Sequence, residues 1–255
     1  MKIAVSGKGG SGKTTIAAFL SVILREKGYK VLAIDCDPDS NLLSMFDRKC
    51  SLESISNMKE MIKERTCAEG GYFKLNPFVA DIPEKYSVDF NGIRIMQIGK
   101  YEDKTGCFCP ENALVKSLIS HIVLERNEAV VLDMEAGIEH LTRGVVAGVD
   151  VMLLVVEPEI KSVETARKIE SIAAKLGIRK IKALANKIYD ETDRNFLKEN
   201  LRELDLAGYI SYNQTIRRDR GSIDNASEIK KELERIWNQI TLEVNNEKTR
   251  RTGTR

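Results

Sequence analysis

Apolar residues fall along this chain in two alternating rhythms. Short continuous runs at 3–5, 31–34, 130–133, 151–156, 181–186 and 208–211 predict strands, most of them buried on both faces. Between them, apolar positions return at helical spacing over residues 14–27, 51–66, 110–125, 163–176, 193–204 and 223–244. In the first of these Ile16, Leu20, Ile23 and Leu24 share one face, and Gly28 is the stop. A short helix is expected near 140–146. Asn91-Gly92, between apolar stretches at 86–90 and 93–98, signals a hairpin, whereas the glycines and prolines earlier in 67–92 read as irregular chain.

Strands alternating with helices predict an α/β fold with a mainly parallel sheet of about seven strands, covered by helices on both faces. Ligands in such sheets sit beyond the carboxyl ends of the strands, so the residues closing each strand carry the functional argument. The 255 residues suffice for one sizeable domain, assigned to 1–244, with a basic flexible tail at 245–255.

Charge narrows the partners. The chain carries a net +2, and Lys248, Arg250, Arg251 and Arg255 against Glu247 place +3 of it in the tail, leaving the body at −1. That balance predicts no nucleic-acid-binding face. The N-terminus reads as a core strand rather than a leader, and no apolar run approaches the ~18 residues that span a bilayer, so the expected location is cytoplasmic. Five cysteines in a reducing compartment are not a disulfide framework.

The first strand runs directly into Gly7-Lys8-Gly9-Gly10-Ser11-Gly12-Lys13-Thr14-Thr15, which meets G-x-x-x-x-G-K-[ST]. Glycines let successive backbone N–H groups converge on phosphate oxygens, and the helix that follows adds its positive end. Lys13 is expected to bridge the outer phosphates and the Thr14 hydroxyl to ligate Mg²⁺. The second strand closes on Asp35 and Asp37, placed for the Mg²⁺ and the attacking water; capping a turn before Pro38 is the alternative for both. Val130-Val131-Leu132-Asp133 has the form of a Walker B strand, with Asp133 holding the metal through water. Asn186-Lys187 closes another strand, but the acid that would read guanine falls one position late, at Asp190, which favours ATP over GTP.

Cys107-Phe108-Cys109 precedes Pro110, a residue suited to the first helical position, so Cys109 is a candidate N-cap whose thiolate the helix dipole favours. One chain offers two thiolates there, and two chains on a two-fold axis would supply Cys₄, which suits Zn²⁺ and also takes Ni²⁺. Ordinary thiols and a redox disulfide are the alternatives. Cys36, Cys50 and Cys67 read as structural, and neither His121 nor His140 is assigned a role.

The stretch Lys8 to Thr14 resembles the deviant P-loop family, whose loop reads K-G-G-x-G-K-[ST] and which includes MinD, ParA and the nitrogenase iron protein. The resemblance implies that Lys8 reaches a partner protomer's nucleotide across a homodimer and that Asp37 positions the attacking water. It also implies that Gly137 offers its N–H to the γ-phosphate and that Asn186 contacts adenine. Cys107 through Leu114, Asp133-Met134-Glu135-Ala136-Gly137-Ile138-Glu139-His140, Glu157-Pro158 and Ser162 through Ala166 are similar to carbon monoxide dehydrogenase maturation ATPases of the CooC type, over residues 1 to about 221.

That resemblance implies an ATP-dependent dimer that aids nickel insertion, with carbon monoxide dehydrogenase or acetyl-CoA synthase as client. Two other classes stay open at this stage. One is an iron–sulfur electron-transfer reductase like the nitrogenase iron protein. The other is a MinD- or ParA-like positioning ATPase, whose last helix would dock Leu233, Ile236, Trp237 and Ile240 on lipid, the alternative being that this face packs on the sheet.

Overall fold

A computed structural model of the chain describes residues 1–39, 41–67, 72, 74, 76–99, 110–122, 127–136, 148–214 and 227–252, with the side chains of 111, 112, 121 and 244–252 excepted. Along the chain run β1 (Lys2–Gly7), α1 (Lys13–Glu26), β2 (Lys30–Asp35), α2 (Leu42–Phe46), α3 (Lys59–Thr66) and α4 (Ile82–Lys85). They are followed by β3 (Val88–Phe90), β4 (Ile93–Gln97), α5 (Pro110–His121), β5 (Glu128–Asp133), β6 (Val151–Val156) and α6 (Ile160–Lys175). The last are β7 (Ile181–Ile188), α7 (Glu191–Asn200), β8 (Leu206–Ser211) and α8 (Ser227–Thr252).

One eight-stranded sheet takes the order β3-β4-β2-β5-β1-β6-β7-β8, and β3 alone runs antiparallel, paired with β4 as a hairpin. Asn91 and Gly92 turn that hairpin with positive φ at both, as an Asn-Gly turn requires. Both hairpin strands fall within the stretches read at 86–90 and 93–98, and with the six apolar runs they make eight strands against the about seven expected.

The continuous apolar runs serve two cores at once, because successive side chains point to opposite faces. Ile3 and Val5 of β1 join α1, α2 and α8 on one face, with Val31, Ala33 and Val131. Ala4 faces the other way, with Leu32, Ile34, Val130 and Leu132, and is covered by α3, α5, α6 and α7. Leu233, Ile236, Trp237 and Ile240 of α8 are all buried against α1 and the sheet. Burying such side chains is worth roughly 1.5–3 kcal/mol each, so this face belongs to the core and is closed to lipid. No helix among the described residues is long and apolar enough to cross a membrane.

Two expectations need correction. Residues 51–66 are not one helix: Ile55–Asn57 is a single 3-10 turn, and α3 begins only at Lys59. The cause is a competing partner, since the Ser56 N–H donates to the Ile98 carbonyl just past β4, 2.9 Å away. The final helix, expected to stop at Val244, continues to Thr252. Cys107, Cys109, Gly137, the short helix near 140–146 and the expected start of the last helix at 223 lie outside the described residues.

Candidate nucleotide site

The site grows from the centre of the sheet. Val5 of β1 lies level with Asp133 of β5, and Gly7 level with Val155 of β6, so the loop after Gly7 emerges between two strand ends. A side chain on Gly7 would collide with the Val155 carbonyl, which is why only glycine fits there. The loop closes on itself where the Ser11 N–H donates to the Lys8 carbonyl at 3.2 Å. Helix α1 then starts after Gly12 with no side-chain cap, so its first N–H groups stay open at the loop mouth. Uncapped N–H groups and a helix dipole converging in a glycine-rich loop make a phosphate site.

Lys13 is 6% exposed, and its Nζ donates to the loop's own Lys8 carbonyl at 3.3 Å. Burial lowers its pKa, while the carboxylates of Asp133, Asp37, Glu135 and Glu157 pull the other way. A single buried ammonium thus sits among four acids, a distribution that an incoming polyphosphate and its cation would complete.

The two acid-ended strands lie side by side, with Asp35 level with Asp133. Asp35, fully buried, spends both oxygens on backbone: Oδ1 accepts from Asp37 N at 3.0 Å and Oδ2 from Leu42 N at 2.7 Å. It therefore braces the loop carrying Asp37, the turn-capping alternative raised by its sequence position. Burial pushes its carboxyl up to about 6 despite those two N–H groups. Asp37 lies beyond, partly exposed, with Oδ1 accepting from Asp39 N at 3.0 Å. Between them burial pushes the Cys36 thiol well up, which keeps it an inert neutral thiol.

Asp133 is different. It is 1% exposed, and neither carboxylate oxygen has a hydrogen-bond donor in good geometry among the described residues. Burial, and then the Asp35 carboxylate beside it, raise its pKa to about 7; the Thr14 hydroxyl is near enough to oppose this without closing a satisfactory hydrogen bond. An orphaned buried carboxylate beside the P-loop threonine fits a divalent cation. Among the described residues no three His, Cys, Asp or Glu gather into a metal cage. That pattern suits Mg²⁺, which takes one or two protein ligands and fills its other positions with phosphate and water.

The same orphan makes a stability prediction. Asp133→Asn should raise the melting temperature of nucleotide-free, EDTA-treated protein at pH 8 by about 5 °C, the return of about 2 kcal/mol of unmet desolvation. The folded state keeps the Asp133 proton up to about 7 against an ordinary 3.8, so this group's contribution is full below about 4 and is lost as pH rises through about 7. The variant should show a shallower decline over that window. Calorimetry finding a lower melting temperature in the variant would overturn the orphan-carboxylate account.

The strands on the other side of β1 complete the site. Asn186, 7% exposed at the end of β7, donates from Nδ2 to the Ser11 carbonyl at 2.7 Å. Lys187 holds the left-handed conformation at φ 61°, with Nζ donating to the Gly10 carbonyl at 2.6 Å and to Glu157 Oε1 at 2.5 Å. Lys8 is paired with Glu159, which raises its pKa through their hydrogen bond. Asp190 caps α7, its Oδ1 accepting from Thr192 N and Asp193 N. Beside the loop opens a cavity of about 660 Å³, lined by Gly10, Gly12, Thr15, Asn186, Tyr189 and Tyr212 among others. A second cavity of about 500 Å³ lies at the amino-terminal edge of β2 and β5, and no site residue lines it.

A family model described as the CobQ/CobB/MinD/ParA nucleotide binding domain matches residues 2–225, nearly all of this architecture. The chain belongs to that family. Within it, the chain is 44% identical over 224 residues to the carbon monoxide dehydrogenase accessory protein CooC of Rhodospirillum rubrum, covering 85% of each. It is 38% identical over 251 residues to an uncharacterized ATP-binding protein of Methanocaldococcus jannaschii, 94% of this chain and 97% of that one. The MinD cell division protein of Aquifex aeolicus shares the fold at a TM-score of 0.69 and 20% identity, over 94% of this chain and 96% of that one.

For a MinD/ParA-type fold, the sequence named the P-loop, Asp35, Asp37, Asp133, Asn186 and Lys187, and the structure gathers all of them at one mouth. It passed over Glu159 and the tyrosines and gave Glu157 no role of its own. The signal available was Glu157-Pro158-Glu159 closing β6, the strand next to β1 in the sheet.

Proposed function

We propose that this chain is an ATP-dependent, dimeric metallochaperone ATPase that aids nickel insertion into carbon monoxide dehydrogenase or acetyl-CoA synthase. The observation that carries the ATPase part is the open start of α1 with Lys13 and the orphaned Asp133 beneath it. The client rests on the similarity to the Rhodospirillum rubrum accessory protein.

The residues divide the work. Loop and helix-start N–H groups between Gly9 and Thr15, other than that of Ser11, which closes the loop, hold the phosphates, and Lys13 exchanges the Lys8 carbonyl for phosphate oxygens as the substrate binds. Thr14 and, through water, Asp133 would hold Mg²⁺, which supplies charge neutralisation on the outer phosphates. Asp35 fixes the backbone at Asp37, and Asp37 orients the attacking water. Gly137, outside the described residues, is assigned the γ-phosphate contact. Lys8 leaves Glu159 to reach the partner protomer's nucleotide. Lys187 ties the base side of the loop through Gly10. The Ser11 carbonyl fixes the Asn186 amide with Nδ2 toward it, so Oδ1 remains as an acceptor matched to the adenine amino group rather than to the guanine carbonyl. Asp190 is committed to α7, which further supports ATP.

The metal is cargo. Cys107 and Cys109 from two protomers would bind one Ni²⁺ or Zn²⁺ as thiolates, so metal uptake and dimerisation reinforce each other. The expected stoichiometry is half a metal per chain by equilibrium dialysis, and Cys109→Ser should abolish it while leaving ATP affinity unchanged. Activation of nickel-free carbon monoxide dehydrogenase by Ni²⁺ should then need the chain, hydrolysable ATP and both cysteines. One metal per chain held by the serine variant, or full activation by that variant, would contradict the proposal.

A further inference from the structure

The polar groups at the end of β7 are largely spent on the protein itself. Asn186 and Lys187 each donate to a P-loop carbonyl, and Asp190 caps α7. A nucleotide base entering the cavity still needs a surface for its face. The cavity runs from Gly10 and Gly12, where phosphates bind, out to Tyr189 and Tyr212. Those two rings stack on one another with centroids 4.2 Å apart and planes 21° from parallel. Tyr189 is 67% exposed, so this aromatic surface is not core packing.

The backbone under the rings is pinned. Tyr212 N donates to the Ile188 carbonyl at 2.9 Å, joining the ends of β7 and β8, and Tyr189 N donates to Asp193 Oδ2 at 2.8 Å. A platform held this way loses little freedom when a ligand stacks on it.

We propose that the Tyr189–Tyr212 stack is the base platform of the site and the source of its preference for purine over pyrimidine nucleotides. This rests on the nucleotide reading above. The warrant is geometric: a planar, weakly polar base prefers an aromatic face, and a purine covers more of it than a pyrimidine. Stacking reads area rather than hydrogen-bonding edge, so it leaves the choice between ATP and GTP to Asn186.

The test is calorimetric titration of the full chain with Mg·ATP, Mg·CTP and Mg·tripolyphosphate, which has no base. Wild type should bind ATP more tightly than CTP. Tyr189→Leu and Tyr212→Leu should each weaken ATP about tenfold, the scale of one lost base–aromatic stack. They should also narrow the ATP-to-CTP ratio and leave tripolyphosphate unchanged. Tyr189→Phe and Tyr212→Phe should keep wild-type values. If both leucine variants keep the ATP affinity and the ratio, the platform is wrong and the nucleotide site stands. If tripolyphosphate weakens in step with ATP, the effect is a general loosening of the site, and the platform is again rejected. If wild type binds neither ATP nor tripolyphosphate, both readings fall together.

Discussion

Lys13→Ala should weaken Mg·ATP by at least about a hundredfold, close to 3 kcal/mol, the cost of deleting a buried partner of a charged ligand. The wild-type ammonium is already desolvated and rests on a single long contact to the Lys8 carbonyl, so little is given up when phosphate replaces it. Alanine removes the buried ammonium whose charge offsets Asp133 and the neighbouring carboxylates when the triphosphate enters. The nucleotide-free fold should be intact, because the Lys13 ammonium makes no other hydrogen bond among the described residues and carries a desolvation cost of its own. Calorimetric titration of ATP into the variant checks this. An affinity within about threefold of wild type would mean that the phosphates bind elsewhere.

Lys8→Ala should leave ADP binding by a single protomer nearly unchanged, yet abolish ATP-dependent dimerisation and slow hydrolysis by about 10³-fold, the low end for a cation supplied in trans to a phosphoryl transfer. In the isolated protomer Lys8 is engaged with Glu159, and both side chains are more than 30% exposed. An ion pair that exposed is worth about 0.2–1 kcal/mol, so it parks the lysine without competing seriously with a partner's triphosphate. Sedimentation with ADP and with ATP separates the two states. A variant that dimerises with ATP as wild type does would end the cross-protomer role.

The parts of the site that were legible in the sequence are contiguous or close a strand. Gly7 to Thr15 is one unbroken loop, and Asp35, Asp37, Asp133 and Asn186 each end an apolar run, so periodicity alone places them at one edge. What the sequence hid are pairings across the sheet. Lys8 meets Glu159 and Lys187 meets Gly10 across more than 150 positions, and only the order β1-β6-β7 brings them together. The tyrosine stack depends on the ends of β7 and β8 being tied side by side, which no local pattern announces. Residues 51–66 carry helical spacing throughout, but the Ile98 carbonyl, distant in sequence, claims the Ser56 N–H and no local pattern announces it. The apolar stripe of α8 was ambiguous for a different reason: one stripe suits a core as well as a lipid surface, and burial of Trp237 to 1% decides it.

The proposed function requires first of all that Mg·ATP be hydrolysed at the β1 loop with Asp37 orienting the water. Its most direct test is phosphate release from Mg·ATP by wild type and Asp37→Ala, alongside ATP titration of both. Slow turnover by wild type, with the variant binding ATP as tightly but releasing no phosphate above background, is the expected result. Equal phosphate release by the two proteins, or no release by wild type at saturating Mg·ATP, would contradict it.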